Sequence, residues 1–192
     1  MIVLASASPR RRELLLPYLP QLQIHPADID ESLRAHESAS DYVTRLAASK
    51  NAAVRAALPS AAWIIAADTC VVAAGRILGK PASFAQACAM WQDLQQGWHQ
   101  VWTGVCVAHA GQVLATQVMT EVLWAPMDAE AMQRYWASGE PQDKAGAYAI
   151  QGLGGLFVAE IRGSYSNVVG LPLVETAQLL RRLGCPLWSA AT

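Results

Sequence analysis

Strand-like and helix-like segments alternate along this chain without a clean βαβ repeat, and that alternation constrains the fold most. It favours a mixed α/β sheet over a dinucleotide-binding fold. The first apolar run, from Ile2 to Leu4, leads into Ser6-Ala7-Ser8-Pro9 and then Arg10-Arg11-Arg12. Ser8 suits an N-cap and Pro9 a first helical position, so a helix is predicted from Pro9 to about Leu16. Gln21 to Pro26 reads as a short strand, and Asp28-Ile29-Asp30-Glu31 as an acidic loop. Ser40 is expected to cap a helix from Asp41 to about Leu58. Val43, Leu46, Ala47 and Val54 form its apolar line, and Lys50 falls on the same line. A lysine there either snorkels from the core edge or points at an anion.

Trp63-Ile64-Ile65-Ala66-Ala67 reads as a fully buried strand ended by Asp68-Thr69. Cys70-Val71-Val72 and Arg76-Ile77-Leu78 around Gly75 suggest a hairpin. Gly79-Lys80-Pro81 is a turn, and Ser83 caps a helix with Phe84, Ala87, Cys88, Trp91 and Leu94 on one face. Gln100 to Ala110 and Gln112 to Trp124 look like two long strands around Gly111. Asp128 begins a helix ended by Gly139 and Pro141. The stretch from Gly146 to Gly170 is rich in glycine and aromatics and is expected to form short strands and site-lining loops. Pro172 opens a last helix, which stops at Gly184.

At 192 residues the chain suits one domain, or two lobes sharing a cleft. Its 53 % hydrophobic content allows a substantial core, and a net charge of −1 provides no global field for nucleic acid. The four cysteines, Cys70, Cys88, Cys106 and Cys185, lack zinc-type spacing and read as free thiols of a reducing compartment. The N-terminus is apolar before it is basic, the wrong order for a secretory signal. The apolar stretch from Ala61 to Gly75 is broken by Asp68-Thr69 and is too short to span a bilayer. A soluble, cytoplasmic protein is expected.

The helix start at Ser8-Pro9 places backbone N–H groups beside guanidinium groups, an arrangement that binds phosphate. Successive helical positions differ by about 100°, so Arg10, Arg11 and Arg12 cannot all face one ligand. Asp68 either terminates a strand or acts as a carboxylate that binds a cation or activates water. Glu31 offers a second carboxylate, or belongs to a solvated loop. Lys50 and Lys80 are able to neutralise a polyphosphate. No phosphate-binding Walker loop and no nucleophile elbow is present. His99 suits a structural role. Phosphate binders and carboxylates without a covalent nucleophile suit metal-assisted attack of water on a phosphoanhydride.

The same residues carry a family resemblance. Ser6-x-Ser8-Pro9-Arg10-Arg11-x-Glu13-Leu14-Leu15, Ala67-Asp68-Thr69, Gly79-Lys80-Pro81, the run from Lys144 to Gly152 and the run from Gly163 to Pro172 resemble the Maf nucleotide pyrophosphatases, in order and over nearly the whole chain. The resemblance implies an elongated, two-lobed mixed α/β fold with a central cleft, similar to the inosine-triphosphate pyrophosphatases. It implies hydrolysis of a nucleoside triphosphate to the monophosphate and pyrophosphate, with a divalent cation, Mg²⁺ or Mn²⁺. Asp68 corresponds to the family's catalytic aspartate, and Ser8, Arg10, Arg11, Glu31, Lys50, Lys80 and Gln151 to its other cleft residues. Asp68, alone or with Glu31, would then hold the cation and orient or deprotonate the water. Lys50, Lys80 and one arginine would neutralise the pyrophosphate.

Pro9-Arg10-Arg11, Ala67-Asp68-Thr69 and Ile150-Gln151-Gly152 all side with the dTTP/UTP type, which makes Arg11, Thr69 and Gln151 the specificity positions by resemblance. A glutamine amide offers both a donor and an acceptor to a pyrimidine edge. Arg12 matches no family position and is expected to face solvent. The chain departs from the family pattern at Gln96-Gly97-Trp98-His99 and at Trp102. The resemblance also implies a homodimer, while the charge balance and the lack of a spanning stretch predict no nucleic-acid or membrane partner. Competing readings are a pyrophosphatase for 7-methyl-GTP or another modified purine nucleotide, and a non-catalytic nucleotide-binding regulator of division.

Overall fold

The computed structural model describes residues 1–58 and 62–188. Ala61, where the interrupted apolar stretch begins, lies outside them. Among the described residues seven strands and six α-helices follow in the order β1 (Ile2–Leu4), α1 (Pro9–Leu15), β2 (Leu22–Ile24), α2 (Ala39–Ala57), β3 (Trp63–Ala73), β4 (Arg76–Leu78), α3 (Phe84–Leu94), β5 (Trp98–His109), β6 (Gln112–Trp124), α4 (Ala129–Ala137), β7 (Val158–Arg162), α5 (Tyr165–Val169) and α6 (Leu173–Arg182). Three short 3-10 turns stand between α4 and β7. The strands form one mixed sheet ordered β2-β1-β3-β5-β6-β7, with β4 paired to β3. Among the described residues no helix is long and apolar enough to cross a membrane.

The chain divides into two compact units, and the division falls inside β3, β5 and β6. The first unit takes Met1–Asp68, Thr103–Val118 and the chain from Gly170 onward. Here β1 pairs in parallel with both β2 and β3, so this third of the chain does form βαβ crossovers, through α1 and α2. Alternation along β1 and β3 separates two apolar clusters. Leu4, Ile65 and Ala67 pack with Leu15, Leu171 and Leu180, while Val3, Ala5, Ile64 and Ala66 pack with Val54 of α2. Both faces of these strands are therefore buried, which explains the unbroken apolar run Trp63–Ala67.

The second unit comprises Thr69–Trp102 and Met119–Val169. Its core gathers Val71, Trp91, Leu94, Val101, Val122, Trp124, Tyr135 and Tyr148. The β3–β4 hairpin turns at Ala74 (φ 47°) and Gly75 (φ 71°), both left-handed, as the right-handed strand twist requires of a two-residue loop. His99 is buried, bonds Tyr148 Oη at 2.8 Å through Nε2, and meets Trp124 edge-on. Its role is structural, as its sequence context suggests. Trp98, one of the departures from the family pattern, carries the Arg162 guanidinium 3.9 Å above its ring. Trp102 donates its indole N–H to Gln100.

Two sequence expectations need correction. Ser38, not Ser40, caps α2, because Ser38 Oγ accepts the Asp41 N–H at 3.1 Å. Ser40 already lies inside the helix and donates to Gln117 instead. Asp68-Thr69 does not end a strand either. β3 runs unbroken from Trp63 to Ala73, paired with β1 at its start and with β4 at its end. An aspartate is tolerated in mid-strand because a cation meets its carboxylate.

Candidate active site

That cation is Lys50. Residues 64, 66 and 68 of β3 share one face, and Lys50 stands one helical turn before Val54 on the side of α2 that packs there. Lys50 Nζ lies 2.6 Å from Asp68 Oδ1 and 2.7 Å from Glu31 Oε1. Asp68 and Lys50 are buried, at 7 % and 8 % exposure, while the Glu31 side chain is half exposed. Of the two sequence alternatives for Lys50, the anion-facing one is correct, and the Glu31 loop contributes a carboxylate to a buried ion cluster. Neighbouring Asn51 donates its amide to Ile64 O at 2.8 Å and Cys106 O at 3.2 Å. These bonds tie α2 to two strands and fix the rotation that aims Lys50.

The three arginines separate as helical geometry demands. Arg12 is exposed, Arg10 half-buried and Arg11 buried. Arg11 donates Nε–H to Gly170 O at 2.8 Å and a terminal N–H to Ser6 Oγ at 3.0 Å. Burial pulls the Arg11 guanidinium below its ordinary pKa. The field of Asp68 opposes that shift, Arg10 adds to it, and Glu31 again opposes it. Ser8 caps α1 as expected, its Oγ accepting the Arg11 N–H at 3.5 Å, while its own N–H donates to Ser6 Oγ at 3.2 Å. Ser6 is thus a hub for both the cap and Arg11, a role that sequence reading missed. Its Ser-x-Ser spacing was the available signal.

In the second unit Thr69 follows Asp68 along β3 and is half-buried. Lys80 is exposed in the turn between β4 and α3. That turn is tied to the Lys144–Gly152 motif, because Gly79 O accepts the Gly146 N–H at 3.0 Å. Gly146 sits at φ 68°, where a Cβ would press on the Val71 side chain at 2.9 Å. Gln151 is exposed on the turn that follows. The structure therefore brings Glu31, Lys50 and Asp68 into one ion cluster in the first unit, beside an α1 start built from Ser8, Arg10 and Arg11. Thr69, Lys80 and Gln151 belong to the second unit.

A family model described as Maf-like protein matches residues 1–183. The chain belongs to the Maf-like proteins. Among the relatives of this Maf-like chain is the dTTP/UTP pyrophosphatase of Hahella chejuensis, 49 % identical over 190 residues, which cover 98 % of this chain and 94 % of the relative. The dTTP/UTP pyrophosphatase of Anaeromyxobacter dehalogenans is 50 % identical over 190 residues, covering 97 % and 95 %. That of Myxococcus xanthus is 48 % identical over 192 residues, covering 100 % and 97 %. Among solved structures, a nucleoside-triphosphatase / dITP/XTP pyrophosphatase from Mycobacterium abscessus aligns with a TM-score of 0.45 at 13 % identity, over 94 % of each chain.

The donor set at the ion cluster suits a hard divalent cation. Asp68 and Glu31 each meet Lys50 through one oxygen, and each has a second carboxylate oxygen. Among the described residues no third aspartate, glutamate, histidine or cysteine joins them. Two carboxylates without further protein ligands are what Mg²⁺ uses when water and substrate phosphates complete its shell.

Proposed function

We propose that this chain hydrolyses dTTP and UTP to the nucleoside monophosphate and pyrophosphate. The observation that carries this reading is the buried cluster of Lys50 between Asp68 and Glu31, in a chain whose relatives bear the name dTTP/UTP pyrophosphatase. Asp68 orients the attacking water and accepts its proton, and Glu31 assists from the loop. Asp68 and Glu31 would hold a divalent cation, which supplies charge neutralisation at the phosphates when bound. Lys50 holds the Asp68 carboxylate in place through their ion pair, and contributes positive charge toward a phosphate. Ser8 and Arg10, at the start of α1, bind phosphate oxygens, and Lys80 neutralises the leaving pyrophosphate. Arg11, one of the three specificity positions by resemblance, donates to Ser6 and Gly170, and in this reading it acts on substrate choice through the wall on which Ser8 and Arg10 stand. Thr69 and Gln151 read the base, and the Gln151 amide pairs with a pyrimidine edge. A cytoplasmic location and a homodimer belong to the same reading, as does a role in nucleotide-pool housekeeping.

The test is pyrophosphate release across canonical and modified nucleotides with Mg²⁺ and with Mn²⁺. The expected outcome is preferred turnover of dTTP and UTP. Preferred turnover of 7-methyl-GTP would move the chain to the modified-purine type, and nucleotide binding without hydrolysis would make it a regulator. Asp68→Asn should lower turnover by about 10²–10⁴-fold while nucleotide binding persists, the range expected on losing a general base.

A further inference from the structure

Gln151 sits on an exposed turn, yet the backbone on either side of it is tied down from one place. The Glu140 carboxylate accepts three hydrogen bonds. Leu153 N–H donates to Oε2 at 2.8 Å, Gly154 N–H to Oε1 at 2.9 Å, and Tyr135 Oη–H to Oε1 at 2.7 Å. Tyr135 Oη in turn accepts the Ala149 N–H at 3.1 Å. The two side chains thus fasten residue 149 before Gln151 and residues 153 and 154 after it. Tyr135 is itself fixed, only 4 % exposed and packed against Trp91 and Phe157.

Two glycines of the turn leave the room this clamp needs. A Cβ on Gly152 would lie 1.9 Å from Glu140 Oε2, and one on Gly154 would lie 2.4 Å from Tyr135 Oη. A Cβ on Gly155 would lie 2.7 Å from Ile150 O. Burial raises the carboxyl pKa of Glu140, but the bonds from Gly154, Tyr135 and Leu153, with the charge of Lys144, outweigh it and leave a net lowering. The ionised acceptor the clamp needs is therefore the favoured form. None of the proposed chemical steps uses Glu140 or Tyr135.

We infer that Glu140 and Tyr135 are positioning residues that preorganise the Gln151 turn, and so set base selectivity without touching the nucleotide. The inference rests on the reading of Gln151 as the base-contacting residue. A flexible side chain on a rigid turn loses less freedom on pairing with a base than the same side chain on a loose one. The selectivity penalty for releasing the turn should therefore fall on KM for the preferred pyrimidine nucleotides and leave kcat nearly untouched.

The experiment compares wild type, Glu140→Gln and Tyr135→Phe in amide hydrogen exchange, nucleotide kinetics and thermal unfolding. Glu140→Gln keeps the shape but loses the charge, and turns an NH₂ toward backbone donors. Exchange at Leu153 and Gly154 should accelerate by at least about 10-fold, the loss expected for a charge-assisted bond. KM for dTTP and UTP should rise about 10-fold with kcat within about twofold, so that preference over purine nucleotides narrows by a similar factor. Tyr135→Phe should free Ala149 and give a milder shift in the same direction, and it carries the test if Glu140→Gln does not fold. Unchanged exchange in a folded variant overturns the clamp. Faster exchange with full retention of the pyrimidine preference overturns the selectivity role and leaves a structural one. A wild type with no dTTP/UTP preference overturns the functional reading instead, and the exchange data still decide whether the clamp exists.

Discussion

At the scale of the residue, Lys50 carries a stability role through its ion pairs and, in the proposed reaction, a chemical one. It is buried between two carboxylates, and a buried charge that loses its partner is costly. Lys50→Met should destabilise the protein by about 3 kcal/mol, because Asp68 then remains buried without a cation. Denaturant unfolding measures this, and adding Asp68→Asn to Lys50→Met should restore part of the loss. A full 3 kcal/mol loss in the double variant would show that packing, not charge, sets the cost. The position of Lys50 on the apolar line of its helix was legible in the sequence, but its partners were not. Glu31 lies 19 residues before it and Asp68 18 after, and only the packing of α2 on β3 makes them neighbours.

At the scale of the element, local signals were read well and continuity was read badly. Ser83 and Asp128 cap α3 and α4 as predicted, with Asp128 Oδ1 accepting the Ala131 N–H at 2.7 Å. Such signals act within a few residues and need no partner. Ser40 failed as a cap because Ser38, two residues earlier, reaches the same helix start. Asp68-Thr69 looked like a strand end because polar residues interrupt an apolar run. The strand continues because β1 and β4 pair with its two ends and a lysine balances the aspartate. Gly104 of β5 is another contact that no local pattern announces. A Cβ there would lie 2.4 Å from Val43 O and 2.6 Å from Val43 C in α2. Neither neighbour is a movable side chain, so Gly104→Ala should cost about 2 kcal/mol through displacement of α2 from the sheet. Chemical denaturation of that variant, with far-ultraviolet dichroism to confirm that it folds, checks the expectation.

At the scale of the whole molecule, stability should depend on acid in a window set by His99. Burial pushes this imidazole down to about 4 from an ordinary value near 6.5. The folded state holds it neutral while the unfolded chain takes up a proton, so stability is full above about pH 6.5 and falls as pH drops toward 4. The full span corresponds to about 3 kcal/mol. Thermal unfolding at pH 7.5 and pH 5 should show the difference, and His99→Gln should flatten it. An equal pH dependence in that variant would place the acid sensitivity elsewhere. The order of the motifs, the caps of α1, α3 and α4, the hairpin at Gly75 and the mixed α/β class were determined by the sequence itself, because each depends on short-range geometry or on simple alternation. Tertiary structure alone decided that Asp68 is mid-strand, that Lys50 joins it to Glu31, that Arg11 bonds Ser6 and Gly170, and that Glu140 meets the backbone after Gln151. Each of these turns on a hydrogen bond or ion pair whose partner arrives through packing, and no sequence spacing encodes such a meeting directly.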